Sequence, residues 1–280
     1  MKIIKTIHEM QEQALAWRRE GVKAGFVPTM GALHEGHLSL IDQARRAGAA
    51  KVVVSIFVNP TQFGPSEDLD KYPRNFARDE ALCAGRGADV IFYPDAAEMY
   101  ASGHSTWVVE EQLSKPLCGE SRPGHFRGVA TVVAKLFNIV LPDVAVFGQK
   151  DAQQSLVIQR MVRDLNFPLT VVIAPIVRES DGLAMSSRNQ YLSSADRAAA
   201  PVICRSLLEI QNLCRNGERN PRLLRQVVSD RITEAGGRID YIEIVSREDL
   251  RQVEEINGRS LVAVAAFFGK TRLIDNIFIG

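Results

Sequence analysis

Val27-Pro28-Thr29-Met30-Gly31-Ala32-Leu33-His34-Glu35-Gly36-His37 is the stretch that decides the fold. An apolar run, Gly25 to Met30, leads into it, and an amphipathic stretch, Leu38 to Ala47, leads out. The pattern reads as strand, tight loop, helix. Both histidines stand where the helix begins. A helix N-terminus offers unpaired N–H groups and the positive end of the dipole, so it can receive a phosphate. Imidazoles there can hydrogen-bond phosphate oxygens, and more strongly as those oxygens gain charge in a transition state. Gly36 leaves room for a flat base or a backbone to come close. A zinc site fits poorly, because helical zinc pairs are typically four apart with a Glu base, and His-Glu-Gly-His is not so spaced. No metal ligands are identified from the sequence.

Outward from this stretch, Ile7 to Arg19 reads as a helix with Thr6 as its N-cap. Gly25 to Met30 is the first buried strand, and Val52 to Val58 is a second, almost wholly apolar one. Continuous apolar runs mark strands covered on both faces, as in parallel sheets. A loop from Asn59 to Pro65 ends the second strand. A helix over Asn75 to Ala84, a strand over Asp89 to Tyr93 and a further strand over Thr106 to Val109 follow. Leu117 to Gly124 is irregular. Val129 to Val140 is a helix, Val144 to Phe147 a strand, Ala152 to Asp164 a helix and Leu169 to Ile173 a strand. This alternation predicts a Rossmann-like α/β domain, a doubly wound parallel sheet with ligands at the carboxyl ends of its strands. His34–His37, Asn59–Gln62 and Gly148–Asp151 each follow a strand, so these three loops should converge.

After Pro175 the pattern changes. Arg178 to Leu192 is polar and irregular, and helices are expected over Ala195 to Asn216 and Pro221 to Ala235. Tyr241 to Val245, Leu261 to Phe267 and Ile274 to Ile279 read as strands without long crossovers. The expected division is a Rossmann-like domain over 1–176 and a smaller α+β domain over 177–280.

The chain has 280 residues and a formal net charge of +1, so nothing in its balance argues for a nucleic-acid partner. No apolar run is long enough to span a bilayer, and the start of the chain turns polar too soon for a signal peptide. Cysteines 83, 118, 204 and 214 form no C-x-x-C pair and read as buried small hydrophobes in a reducing cytoplasm.

Other segments carry chemistry-bearing residues. In Phe147-Gly148-Gln149-Lys150-Asp151, Lys150 stands at a helix start, where the dipole disfavours a cation unless an anion accompanies it. Gln154, one turn on, could bond a neutral polar ligand. Met185-Ser186-Ser187-Arg188-Asn189 offers hydroxyls and a guanidinium to a polyphosphate. Asn59 and Gln62 could read a hydroxy acid. Arg122-Pro123-Gly124-His125-Phe126-Arg127-Gly128 suits either an anion-binding loop or an ordinary surface loop. No dinucleotide fingerprint, P-loop or nucleophile elbow occurs.

Together these blocks resemble the pantothenate synthetase (pantoate–β-alanine ligase) family, within the HxGH nucleotidyltransferase superfamily. The resemblance spans Pro28–His37, Phe57–Phe63, Arg122–Val129, Phe147–Asp151, Met185–Asn189 and Thr271-Arg272-Leu273-Ile274-Asp275-Asn276. It implies ATP-driven condensation of pantoate with β-alanine through pantoyl adenylate, with Mg²⁺, a C-terminal lid and a homodimer. It also implies roles. His34 and His37 contact ATP phosphates, with His37 the proton donor. Lys150, Ser186, Ser187 and Arg188 neutralise phosphate charge. Met30, Gly31, Ala32, Leu33, Glu35, Gly36, Gly148, Gln149, Asp151, Val177 and Met185 line the nucleotide. Gln62 and Gln154 grip pantoate, joined by Asn59, Arg122 and His125. A simple adenylyltransferase of the same superfamily and a non-catalytic nucleotide-binding protein are the alternatives.

Overall fold

The computed structural model describes every residue except Pro65, Ser66, Asp68 and Gly280. Its first strand, β1 (Lys2–Ile4), is too short for its apolar pattern to stand out in the sequence. α1 (Ile7–Arg19) follows, and the Thr6 hydroxyl accepts the Glu9 N–H at its start. The opening stretch forms β2 (Ala24–Thr29), the second strand rather than the first, and α2 (Glu35–Arg46). Next come β3 (Lys51–Ile56), α3 (Phe76–Gly85), β4 (Val90–Phe92), α4 (Ala96–Met99) and α5 (Cys118–Ser121). α6 (His125–Val140), β5 (Val144–Gly148), α7 (Ala152–Asp164) and β6 (Thr170–Ala174) complete this region.

The six strands form one parallel sheet in the order β1-β4-β3-β2-β5-β6. The order reverses at β2, and open α/β sheets bind ligands beyond the carboxyl ends of strands at such a switch point. Side chains alternate across the sheet. Phe26 packs with Met10, Ala14 and Trp17 of α1 and Val129, Val133 and Phe137 of α6. Its neighbour Val27 packs with Leu38 and Ile41 of α2 and Cys83 of α3. Both faces are therefore covered, which accounts for the continuous apolar runs.

Several expected elements differ. Thr106 to Val109 is no strand, because the Val108 N–H goes to the Thr131 hydroxyl on α6 instead of to a neighbouring strand. Leu117 to Gly124 contains the one-turn α5. α6 starts at His125, four residues early, where Gly124 turns the chain at φ +83°. The loop from Asn59 contains a 3₁₀ turn, Pro60–Gln62, and its expected end, Pro65, lies outside the described residues. Cys118 is half-buried, unlike the other three cysteines.

The chain divides by its contacts into two units. One comprises Met1–Gly148 with Gln153–Ala174, and the other Gln149–Ala152 with Pro175–Gly280. In the second unit, the long helix expected over 195–216 is two: α8 (Ser194–Ala199) and α9 (Val202–Arg215). Pro201 separates them, since it lacks an N–H and clashes with the preceding turn. α10 (Pro221–Glu234) precedes an antiparallel sheet of β7 (Arg238–Ser246), β8 (Ser260–Phe268) and β9 (Thr271–Ile279). Ile203, Leu207, Leu224 and Val228 of its helices pack on Ile242, Ile244, Val262 and Val264 of its strands. Among the described residues no helix is long and apolar enough to cross a membrane.

Candidate functional site

Beyond β2 the chain turns through two left-handed residues, Gly31 at φ +85° and Ala32 at φ +50°. Ala32 is strained there, as a non-glycine residue. The loop is held by Asp79 of α3, 1% exposed, whose carboxylate accepts the Ala32 and Leu33 N–H groups, each at 2.8 Å. Sequence reasoning passed over this residue, since no local pattern marks it. Asp79 also acts on Cys83, one turn on: burial first, then the Asp79 charge, push that thiol up to about 12. It stays protonated and unreactive.

His34 is the N-cap of α2. Its Nδ1 accepts the Gly36 N–H at 3.1 Å, and its own N–H donates to His37 Nδ1 at 3.4 Å. The rings lie 4.1 Å apart between centroids. Capping and ligand contact are thus not rival readings of these histidines. With each Nδ1 accepting, a neutral ring carries its proton on Nε2. Each His is then set to donate from Nε2 at a positive helix end, an arrangement suited to an anion. Glu35 is turned to Arg86 at the end of α3, with which it forms an ion pair.

The turn after β3 carries Gln62, which is 9% exposed. Asn59 Nδ2 donates to Gln62 Oε1 and to the Gly128 carbonyl, both at 3.2 Å. Asn59 Oδ1 accepts the Tyr100 and Thr61 hydroxyls at 3.0 and 2.9 Å. Gln62 Nε2 donates to the Met30 sulfur, which brings the loops after β2 and β3 together. Arg122 and His125 stand behind the same residue. His125 Nδ1 lies 2.9 Å and Arg122 Nη2 3.3 Å from the Gln62 carbonyl oxygen. Arg122 forks onto Glu67 at 2.6 and 2.7 Å. Burial raises the Glu67 pKa, but the Arg122 hydrogen bonds and charge and the Gly64 N–H outweigh it, so the net direction is down. α6 can approach this turn because Gly128 has no side chain: a Cβ there would sit 2.3 Å from the Thr61 carbonyl oxygen.

Gly148 ends β5, and its carbonyl accepts the Ser155 hydroxyl at 3.3 Å. Gln154 is half-buried on the first turn of α7. Its neighbour Gln153, passed over in the sequence, bonds the Cys118 N–H and the Leu113 and Pro116 carbonyls.

In the second unit, Gln149–Asp151 forms a 3₁₀ turn. Lys150 Nζ is 3.7 Å from Asp151 Oδ2, and Asp151 is exposed. The Val177 carbonyl accepts the Met185 N–H at 3.0 Å. Arg178 and Ala184 form an antiparallel bridge, so 177–185 doubles back on itself and leads to Ser186, the N-cap of a further 3₁₀ turn, Ser187–Tyr191, that carries Arg188. Ser186 Oγ accepts the Arg188 N–H at 3.3 Å. Lys150 and Ser186 line one small cavity with Asp275. Among the described residues no three His, Cys, Asp or Glu side chains cluster as a metal site would need.

A family model described as Pantoate-beta-alanine ligase matches residues 2–278. A pantothenate synthetase of Heliobacterium modesticaldum is 55% identical over 280 residues, covering 100% of this chain and 99% of that one. One from Thermotoga neapolitana is 54% identical over 281 residues, covering 100% of each. The crystal structure of pantothenate synthetase from Thermus thermophilus superposes with a TM-score of 0.92 at 45% identity over 99% of both chains. That of a pantoate-beta-alanine ligase from Francisella tularensis, complexed with Beta-gamma ATP and Beta-alanine, gives 0.82 at 34% identity over 99% of this chain and 97% of that one.

Proposed function

We infer the residue roles below from one premise: the chain belongs to the pantoate-beta-alanine ligase family. It is an enzyme that condenses pantoate with β-alanine. ATP drives the condensation. A pantoate carboxylate oxygen attacks the α-phosphorus, the bond to pyrophosphate breaks, and pantoyl adenylate forms. The β-alanine amine then attacks the acyl carbon, loses a proton and expels AMP, leaving pantothenate.

The observation that carries the site assignment is the pair of imidazoles at the start of α2, each with Nδ1 accepting a backbone N–H. Donors fixed before reaction stabilise the charge that gathers on the leaving phosphates. His34 and His37 supply that, and His37 Nε2–H is the proton donor. Lys150, Ser186, Ser187 and Arg188 neutralise the phosphates. Met30, Gly31, Ala32, Leu33, Glu35, Gly36, Gly148, Gln149, Asp151, Val177 and Met185 line the nucleotide. Gln62 and Gln154 grip pantoate, joined by Asn59, Arg122 and His125, which also bond Gln62.

Mg²⁺ fits as a companion of the nucleotide, not as a resident ion. Both oxygens of Asp79 already accept backbone N–H groups, and Mg²⁺ is commonly held by few carboxylates plus phosphates and water. When bound, it offsets phosphate charge. The division into a nucleotide- and pantoate-binding 1–176 and a lid over 177–280 belongs to the same proposal, because an acyl adenylate hydrolyses when water enters. So do a cytoplasmic location and a homodimer, both supported by the family resemblance.

The test is exchange of labelled pyrophosphate into ATP. Exchange should require pantoate and not β-alanine, while AMP release should turn over only with β-alanine. Exchange without pantoate, or none with it, overturns the adenylate route. Lys150→Ala should slow exchange by a few powers of ten, since losing a charge-stabilising donor costs roughly 3–4 kcal/mol.

A further inference from the structure

The segment Thr271-Arg272-Leu273-Ile274-Asp275-Asn276 has no part in the roles above, yet it holds two of the most deeply buried polar residues of the second unit. Asn276 is 2% and Asp275 3% exposed. Successive strand residues point to opposite faces, so these two serve different neighbours from one point on β9.

Asn276 commits its amide to the turn that carries Lys150. Its Nδ2 donates to the Gln149 carbonyl at 2.9 Å and to the Lys150 carbonyl at 3.0 Å. Its Oδ1 accepts Gln149 Nε2 at 3.2 Å. Both amide hydrogens and the oxygen are thus engaged within two residues of chain. Only Asn or Gln carries such a donor pair beside an acceptor, and Gln is a methylene longer. A short 3₁₀ turn has poor hydrogen-bond geometry of its own, so an external clamp sets its backbone.

Asp275 serves the facing hairpin. Arg178 forks onto it at 2.6 and 3.0 Å, and the same guanidinium donates to the Gly182 carbonyl at 3.0 Å. Asp275 lines the cavity that Lys150 also lines, so an unpaired carboxylate there would draw the Lys150 ammonium to itself. Bidentate pairing with Arg178 satisfies it instead.

We propose that Asn276 is a positioning residue for Lys150: it fixes the backbone of the Gln149–Asp151 turn, with the Arg178–Asp275 pair beside it, so that the ammonium stands ready for the nucleotide phosphates. This rests on the phosphate role assigned to Lys150. Asn276 itself touches no substrate.

The test is a double-mutant cycle on the full chain, read by pyrophosphate exchange and, separately, by pantothenate release from preformed pantoyl adenylate and β-alanine. Asn276→Ala should slow exchange about 10- to 100-fold, the scale of an ångström-level misplacement. Combined with Lys150→Ala, it should add little beyond Lys150→Ala alone. Release from preformed adenylate should be unchanged. Asn276→Gln, which restores donors and acceptor at a longer reach, should recover part of the loss. Losses that multiply in the double variant, or an equal loss in the second step, overturn the positioning role. A Lys150→Ala variant with wild-type exchange overturns the phosphate role of Lys150 and with it the premise. Should Asn276→Ala unfold, Asn276→Ser carries the same cycle with the same outcomes.

Discussion

Asp79 and Ala32 lie 47 residues apart in the chain and are joined by a 2.8 Å hydrogen bond from the Ala32 N–H to a carboxylate oxygen. The second oxygen takes the Leu33 N–H. Together they hold a loop whose left-handed residues would otherwise relax. Asp79→Asn keeps the shape but sets an amide N–H₂ against a backbone N–H. It should cost about 1–3 kcal/mol of stability in urea unfolding and slow adenylation as well. Wild-type behaviour in both would show that the loop is held by other contacts.

His34→Asn separates two jobs of one ring. His34→Ala loses the cap at Gly36 N–H, worth about 1 kcal/mol, together with the Nε2–H donor. Asn keeps an acceptor for the cap and lacks the donor. Its melting temperature should stay near wild type while pyrophosphate exchange falls about 10²–10³-fold. If His34→Asn exchanges normally, capping is all that His34 does. His37→Ala, which leaves the His34 cap in place, should show the same loss of exchange without unfolding.

Gly128→Ala tests how α6 sets Gln62. The new Cβ would lie 2.3 Å from the Thr61 carbonyl oxygen and 2.7 Å from the Gln62 nitrogen, both of them backbone atoms that cannot swing aside. Either α6 or the Pro60–Gln62 turn must move, at a cost of roughly 1–3 kcal/mol. The KM for pantoate should rise more than that for ATP. Equal rises would mean that Gln62 does not read the acid.

Elements with a full local signature are legible in the sequence. α1 has its Thr6 cap, and α7 has its apolar stripe and runs over Ala152–Asp164 as expected. The buried β2 and β3 follow directly from their apolar runs. What local pattern hides is partnership across the chain. Arg122 and His125 stand in a Gly-rich segment that suits either an anion-binding loop or a surface loop, and no local spacing names a partner for them. Glu67, 55 residues before Arg122, is what takes its charge. Asp79 is one of two adjacent acids in α3, and nothing beside it marks the amides it will meet. Asn276 shows in the resemblance but not in any spacing, since its turn lies 126–127 residues earlier. β1 is simply too short to carry a period.

The Glu67–Arg122 pair gives a pH dependence with a definite sign. Burial alone raises the Glu67 pKa, but the Arg122 hydrogen bonds and charge, with the Gly64 N–H, bring it below its unfolded value. A depressed carboxyl pKa contributes stability that is fully present above the unfolded value, about 4.3, and is lost as pH falls through the folded one. Glu67→Gln should therefore melt below wild type by a constant margin between pH 7 and pH 5. That margin should shrink below about pH 4.3 and disappear at lower pH. Because Arg122 also reaches the Gln62 carbonyl, Glu67→Gln should raise the KM for pantoate at pH 7. A margin that widens on acidification would reverse the sign and remove Glu67 as the partner that holds Arg122 in place.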